Sequence, residues 1–164
     1  MPALDTGTAA PSFSLPDITG RKVSLKDELK KGPVVLAFFK VTCPVCQLAF
    51  PYLERIYEGM HGKANIIGIS QHPLRETKVF ASEYDITFPI LLDDTHTYPV
   101  SNAYGITNVP TLFLIAPNEQ IELTSVGWSR RDIEELNRRL GRALGTAPAD
   151  VFHRGEDVPA FKAG

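Results

Sequence analysis

Two cysteines separated by two residues, Cys43 and Cys46, are the only cysteines in the chain. An apolar run precedes them and a helical pattern follows, so both thiols are predicted to lie in the first turn of a helix. The first N–H groups of a helix have no intrahelical partner and carry partial positive charge, which favours the thiolate form that attacks disulfides. The spacing therefore predicts a reversible dithiol/disulfide site, with Cys43 as the exposed nucleophile and Cys46 as the thiol that resolves a mixed disulfide.

Three other uses of this cysteine pair have to be weighed. A closed structural zinc site needs four ligands, and the chain has no second cysteine pair and no histidine at ligand spacing from the first. Haem attachment needs a histidine directly after the second cysteine, where the chain has Gln47. Two inert core cysteines are the third alternative. The strand–helix context favours redox chemistry over all three, and no metal or cofactor is expected.

The elements that must position the cysteines are a strand and a helix. Residues 34–39 are continuously apolar, which is typical of a strand buried on both faces at the centre of an α/β sheet. Pro44 suits the first helical position, and apolar residues then recur at helical spacing as far as Met60. Pro51 is expected to kink this helix. A strand over residues 64–70 completes a right-handed βαβ unit.

Turn residues, the alternation of apolar and polar residues, and helix-capping residues predict the other segments. They are a β-hairpin within residues 11–25, a helical turn at 26–31, a helix at 74–84, an extended stretch at 88–92, a short helix beginning near Tyr98 and Pro99, and strands at 111–115 and 120–126. Ser129, with Asp132 three residues on, is a good N-cap for a helix that reaches about Leu144. Trp128 is expected to be a core or surface aromatic, or to pack near the end of the sheet.

Length and composition indicate one domain. The chain has 164 residues, 43% of them hydrophobic, which suffices for a single core without disulfide staples. We predict a domain over residues 1–145 and an irregular tail over 146–164, which Val151, Phe152 and Phe161 could attach to the domain.

The formal net charge of −2 gives no indication of a nucleic-acid or membrane partner. Residues 1–10 have neither the basic nor the apolar region of a secretory signal, so a cytoplasmic location is expected.

Several stretches together resemble a known family. They are residues 10–15 with the hairpin after them, the strand leading into Cys43-Pro44-Val45-Cys46, Pro51 in the following helix, and residues 104–111, which end in Val109-Pro110-Thr111. Over residues 10–144 the chain resembles the thioredoxin-like superfamily, and more narrowly its TlpA/ResA and alkyl hydroperoxide reductase/thiol-specific antioxidant branches. The resemblance implies an α/β thioredoxin-like fold, in which helices flank a central mixed β-sheet that follows an N-terminal β-hairpin.

The resemblance also implies which residues contact a substrate. The Val109-Pro110 bond is expected to be cis and to pack beside the two sulfurs, leaving the backbone of Val109 free to pair with an extended substrate segment. Thr42 and Pro44, which flank Cys43, are expected to contact the substrate as well. From the residues alone, an ordinary trans proline at the start of a strand is the alternative.

The sequence departs from the family pattern at three positions. Thioredoxins carry a buried Asp six residues before the first cysteine, where this chain has Ala37, and TlpA/ResA proteins often carry a Glu at the position of Ala49. Thr42 stands where a Trp is usual. The carboxylate that relays a proton to the second thiol is thus missing from both usual places. Lys40 could favour a thiolate instead, although a solvent-facing charge at the strand end is the stronger expectation.

The sequence is compatible with three functions. The first is a thiol–disulfide oxidoreductase that acts on protein or small-molecule disulfide and thiol partners and receives electrons from a redox donor such as a reductase. The second is a peroxiredoxin-like peroxidase, which usually has Thr or Ser three residues before its reactive cysteine, where this chain has Lys40. The third is a non-catalytic docking domain. The cysteine motif after a buried strand, with Val109-Pro110-Thr111 downstream, favours the first. The uncharged Pro44-Val45 pair between the cysteines predicts a moderately reducing site.

Overall fold

The computed structural model describes residues 2–164; Met1, the first residue of the predicted domain, lies outside the described residues. The strands and helices follow one another in the order β1 (Ser14–Pro16), β2 (Lys22–Ser24), α1 (Leu25–Leu29), β3 (Val34–Phe39), α2 (Pro44–Gly59), β4 (Asn65–Ser70), α3 (Leu74–Glu83), β5 (Ile90–Leu92), α4 (Pro99–Ala103), β6 (Thr111–Ile115), β7 (Ile121–Val126), β8 (Trp128–Ser129), α5 (Arg130–Leu144) and β9 (Phe161–Lys162).

The central sheet has five strands in the order β5-β4-β3-β6-β7. Strand β3 runs parallel to β4 and antiparallel to β6, so the sheet is mixed. Strands β1 and β2 form a separate antiparallel hairpin near the N-terminus. The mixed α/β architecture with an N-terminal hairpin is therefore confirmed.

Strand β3 is completely buried because core packs on both faces of the sheet. One cluster contains residues of α2, α3 and α5, including Cys46, Phe80 and Leu136. The other contains residues of the hairpin, α1 and α4, including Leu15 and Leu25. The continuous apolar run that predicted this strand thus reflects two apolar layers, and it fixes the point at which the chain enters α2.

Helix α2 begins where the sequence predicted. Cys43 is its N-cap in an extended conformation, with φ −85° and ψ 116°, and Pro44 occupies the first helical position. The proline costs no hydrogen bond there because that N–H has no intrahelical acceptor. The helix continues past Pro51 to Gly59, and its buried face packs against the sheet.

The segment after α5 has little regular structure but is closely attached to the domain. Val151 is buried, and the ring of Phe152 lies 5.3 Å from that of Tyr52. Phe161, the third residue expected to attach the tail, has a side chain that is 61% exposed. Its attachment is through the backbone, because β9 pairs antiparallel with β8.

An ion pair also holds this segment to α2. Both terminal nitrogens of Arg55 donate to the carboxylate of Glu156, at 2.8 and 2.7 Å. One of them also donates to the carbonyl of Val151 at 2.8 Å. In residues 2–164 no helix has both the length and the apolarity needed to span a membrane.

Candidate dithiol site

The two cysteines occupy the first turn of α2, as predicted. The amide N–H of Cys46 donates a hydrogen bond to the sulfur of Cys43 at 3.2 Å. The carbonyl of Cys43 accepts from the amide of Gln47 at 3.0 Å, which begins the helix. Both cysteines are free thiols, Cys43 partly exposed and Cys46 fully buried. A partner can therefore reach only the first sulfur directly.

Cys46 lies in an apolar environment that disfavours its ionised form. Burial in the core raises the pKa of this thiol far above its ordinary value, and the hydrogen bond to Cys43 acts in the same direction. The amide contact described above stabilises negative charge on the sulfur of Cys43 instead. The local fold thus makes the two thiols chemically unequal although they are only two residues apart.

The loop before β6 borders the sulfur of Cys43. The Val109-Pro110 peptide bond is cis. The thiol of Cys43 donates to the carbonyl of Val109 at 3.5 Å. The loop is held by Thr111, whose hydroxyl donates to the carbonyl of Asn108 at 2.7 Å, and by the amide of Gly127, which donates to the carbonyl of Pro110 at 2.8 Å.

The residues predicted to contact a substrate lie around this sulfur at different depths. Thr42 and Pro44 are exposed on either side of Cys43, and Val109 is partly exposed across from it. Pro110, which follows Val109, is buried. Of the six predicted residues, Cys43 contacts Val109 and Cys46 directly, Thr42 and Pro44 adjoin Cys43 in the chain, and Pro110 follows Val109.

No side-chain carboxylate occupies either position that the family pattern would use. Ala37 and Ala49 are both buried within the same core cluster as Cys46. Lys40 is exposed at the end of β3, as expected for a solvent-facing charge. Burial, and secondly the charge of Lys40, lower the pKa of His72. Among residues 2–164 no group of three or more histidine, cysteine, aspartate or glutamate residues is placed to hold a metal ion.

Sequence reasoning missed two contributors to this surface. Gln47 donates from its side-chain amide to the carbonyl of Val41 at 2.9 Å, which fixes the loop before the cysteines; its place directly after Cys46 was the available signal. Gly164 lies against the loop of Val109, and a β-carbon on it would come within 2.5 Å of the Val109 oxygen. Nothing in the local sequence indicates that second contact, because the two residues are far apart in the chain.

The fold and the dithiol turn together define a thioredoxin-like thiol–disulfide oxidoreductase. A sequence profile of the AhpC/TSA family matches residues 6–124, so the chain belongs to that family.

The chain is also similar to individual proteins. It is 33% identical to the thiol-disulfide oxidoreductase ResA of Geobacillus thermodenitrificans over 139 residues, which cover 81% of this chain and 76% of the relative. The thioredoxin domain of a thiol-disulfide oxidoreductase from Bacteroides vulgatus superposes with a TM-score of 0.73 at 24% identity, covering 84% of this chain and 98% of that one. The peroxidoxin BcpB of Mycobacterium tuberculosis superposes with a TM-score of 0.72 at 25% identity, with coverages of 86% and 98%.

Proposed function

We propose that this oxidoreductase works in the reducing direction, with Cys43 as the attacking thiol and Cys46 as the resolving thiol. The observation that supports this most directly is the inequality of the two sulfurs: Cys43 is partly exposed and accepts the amide of Cys46, whereas Cys46 is buried with a raised pKa. A partner disulfide reaches the sulfur that is best able to carry negative charge, and the second thiol stays protonated until it is needed.

The reaction takes place in two exchanges at sulfur. The thiolate of Cys43 attacks one sulfur of the partner disulfide, forming a mixed disulfide and releasing the other partner sulfur as a thiolate. Cys46 then loses its proton, for which the departing thiolate is an acceptor, and attacks the sulfur of Cys43. The second partner thiol leaves, and the Cys43–Cys46 disulfide remains. A dithiol donor, such as a reductase, returns two electrons and two protons to close the cycle.

The partner is held by the surface around Cys43. We propose that an extended segment pairs with the backbone of Val109 by strand addition, with Pro110 shaping the floor and Thr42 and Pro44 contacting the segment near the reacting sulfur. The contact between the Val109 carbonyl and the sulfur of Cys43 supports this arrangement, because it places this backbone beside the reacting atom. A small disulfide needs access only to the sulfur of Cys43 and does not have to pair with the backbone of Val109.

The redox poise is proposed to be moderately reducing. Strongly oxidising relatives of this fold stabilise the reduced thiolate heavily, and Pro44 and Val45 contribute no charge for that purpose. Equilibration with glutathione should give a potential nearer to about −270 mV than to about −120 mV. A value near the second figure would contradict the reducing direction.

Trapping with a Cys46→Ser variant tests the assignment of roles. The variant should accumulate mixed disulfides at Cys43, both with insulin and with cell proteins identified by mass spectrometry, because the second exchange is blocked. Cys43→Ser is the matched control and should trap nothing. If the wild-type protein does not reduce insulin and the Cys46→Ser variant traps no partner, the results would instead support a docking domain.

A peroxidase activity is the second candidate, favoured by the family match and by the similarity to a peroxidoxin structure. The sequence around Cys43 argues against it, because Lys40 stands where peroxiredoxins have Thr or Ser. Stoichiometric hydrogen peroxide added to the Cys46→Ser variant decides the question. Rapid formation of a sulfenic acid at Cys43, within seconds, would establish the peroxidase, and slow oxidation would exclude it.

We retain the cytoplasm as the proposed location. In that compartment an isolated cysteine pair is more often catalytic than structural. Fractionation of cells that express the protein tests this directly, and recovery with the membrane or secreted fraction would refute it.

A further inference from the structure

The segment 160–164, here called the strap, lies over one side of the dithiol site. Gly164 packs so closely on the loop before β6 that a β-carbon would come within 2.5 Å of the oxygen and 3.0 Å of the carbonyl carbon of Val109. The side-chain amide of Asn108 donates to the carbonyl of Gly164 at 3.2 Å. The same Val109 oxygen accepts from the thiol of Cys43. The strap therefore covers the backbone with which an extended partner would pair.

A second contact extends this cover toward the turn between β7 and β8. A β-carbon on Gly127 would lie 2.5 Å from the carbonyl oxygen of Lys162, so the strap passes directly over this glycine. Gly127 in turn donates its amide to the carbonyl of Pro110. The strap thus contacts both the loop before β6, at Val109, and the turn between β7 and β8, at Gly127.

The strap is firmly attached to the domain near residue 160 and weakly attached beyond it. At the base, the indole N–H of Trp128 donates to the carbonyl of Pro159 at 2.7 Å, and the amide of Arg130 donates to the carbonyl of Ala160 at 3.0 Å. Beyond this point the strap has only the two-residue pairing of β9 with β8 and the contact with Asn108, and all of residues 161–164 are exposed. A segment that buries no apolar side chain opens at low cost.

We propose that the strap sets the substrate class of the dithiol site: seated, it excludes extended polypeptide disulfides from pairing with Val109 while leaving Cys43 accessible to small disulfides. The inference rests on the oxidoreductase function proposed above. Reduction of a polypeptide disulfide then requires the strap to leave the cis-proline loop first, and the observed rate is lowered by the fraction of molecules in which it is seated. The chemistry at sulfur is the same for both classes of substrate.

Two full-length variants displace the strap by different physical means. Gly164→Ala introduces the methyl group for which there is no space beside Val109, and the exposed strap is free to move away from it. Lys162→Pro removes the amide N–H of the strand residue opposite Trp128 and acts at a distance from the cis-proline loop. Ala163→Ser is the matched control, because it adds one atom at an exposed position between the two.

The measurement compares the rate of insulin reduction with the rate of reaction with bis(2-hydroxyethyl) disulfide. For a strap that is seated in most molecules, both displacing variants should reduce insulin on the order of tenfold faster, with the small-disulfide rate within about twofold of wild type. Ala163→Ser should resemble wild type with both substrates. In insulin mixed disulfides trapped through Cys46→Ser, the backbone amides of the β8–β9 pairing should exchange with solvent faster than in the free protein.

The two substrate rates distinguish a failure of the strap proposal from a failure of the proposed oxidoreductase function. Variants that react with the small disulfide but leave the insulin rate unchanged, or lower it, would overturn the inference and leave the oxidoreductase function in place. Equal acceleration with both substrates would also overturn it, since the strap would then cover Cys43 itself. Absence of reaction of wild type with either disulfide would overturn the proposed function together with the inference.

Discussion

The amide of Cys46 donates to the sulfur of Cys43 at 3.2 Å, so the residue that carries the second thiol also stabilises charge on the first. This relationship follows from the spacing of two residues at a helix N-terminus, where a side chain at the N-cap accepts an amide from the third helical residue. Burial of the second thiol keeps it neutral at the same time. The first turn of α2 therefore favours attack by Cys43 on the partner before attack by Cys46 on the mixed disulfide.

The first prediction concerns alkylation of the reduced protein. Iodoacetamide at about pH 7.5 should modify Cys43 and leave Cys46 unmodified, because only the first is accessible and burial raises the pKa of the second. Peptide mass spectrometry measures the two sites separately. Cys43→Ser should react at least about tenfold more slowly than wild type. Unfolding in guanidinium should make both sites reactive, and similar labelling of both in the folded protein would contradict the assignment.

The second prediction concerns the stability of the reduced protein in alkali. The folded state raises the pKa of Cys46, so the stabilisation from its neutral thiol is fully present below the unfolded value of about 8.5 and is lost as the pH rises above it. The free energy of unfolding should fall with pH more steeply in wild type than in Cys46→Ala, by up to about 1.4 kcal/mol per pH unit. Urea titrations between pH 7.5 and about 10 under reducing conditions measure it. Parallel slopes would show that Cys46 titrates normally.

Local signals in the sequence predicted most of the elements that position the site. The strand at Thr111–Ile115 has the predicted bounds, and the hydroxyl of Ser129 caps α5 by accepting from the amide of Asp132 at 3.2 Å. These features depend on neighbouring residues, as does the placement of Cys43 and Cys46. The cis Val109-Pro110 bond was expected only through the family resemblance, since most X–Pro bonds are trans.

The tail could not be predicted in the same way, because its contacts join distant parts of the chain. Arg55 meets Glu156 across 101 residues, and Asn108 meets Gly164 across 56. A composition rich in proline, alanine and glycine predicts irregular backbone but gives no information on what that backbone contacts. At Phe161 the attachment is made by the backbone, in the pairing of β9 with β8, which composition does not indicate.

The third prediction concerns release of the tail in acid. The paired guanidinium of Arg55, and secondly the amide of His153, hold the pKa of Glu156 at about 2, below its ordinary value of about 4.3. The stabilisation is therefore present above about pH 4.3 and is lost as the pH falls toward 2. Fluorescence of Trp128, the single tryptophan, reports the change because its indole bonds the tail at Pro159.

Charge-removing variants separate this ion pair from general acid effects. Glu156→Gln should loosen the tail already at neutral pH and should show a smaller fluorescence change than wild type between about pH 5 and pH 2, since the titrating group is gone. Asp157→Asn makes the same change of charge at the exposed neighbouring residue and should behave like wild type. Equal acid responses of wild type and Glu156→Gln would show that another group controls the attachment.

The fourth prediction concerns the alanine at the position where thioredoxins carry a buried aspartate. Ala37 lies in β3 between β4 and β6 with no exposed surface, in the same apolar cluster as Cys46. Ala37→Asp should lower the free energy of unfolding by roughly 2–4 kcal/mol at neutral pH, because the new carboxylate has to be buried without a designed partner. Ala37→Asn is the control for size and polarity.

Burial raises the pKa of the new aspartate, so the loss of stability of Ala37→Asp relative to Ala37→Asn should grow as the pH rises above about 4 and shrink in acid. Urea titrations of both variants at about pH 4.5 and pH 8 measure this difference. A deficit that does not depend on pH would mean that the carboxylate reaches water or a cation, and that the absence of an acid at this position is not imposed by the packing around β3.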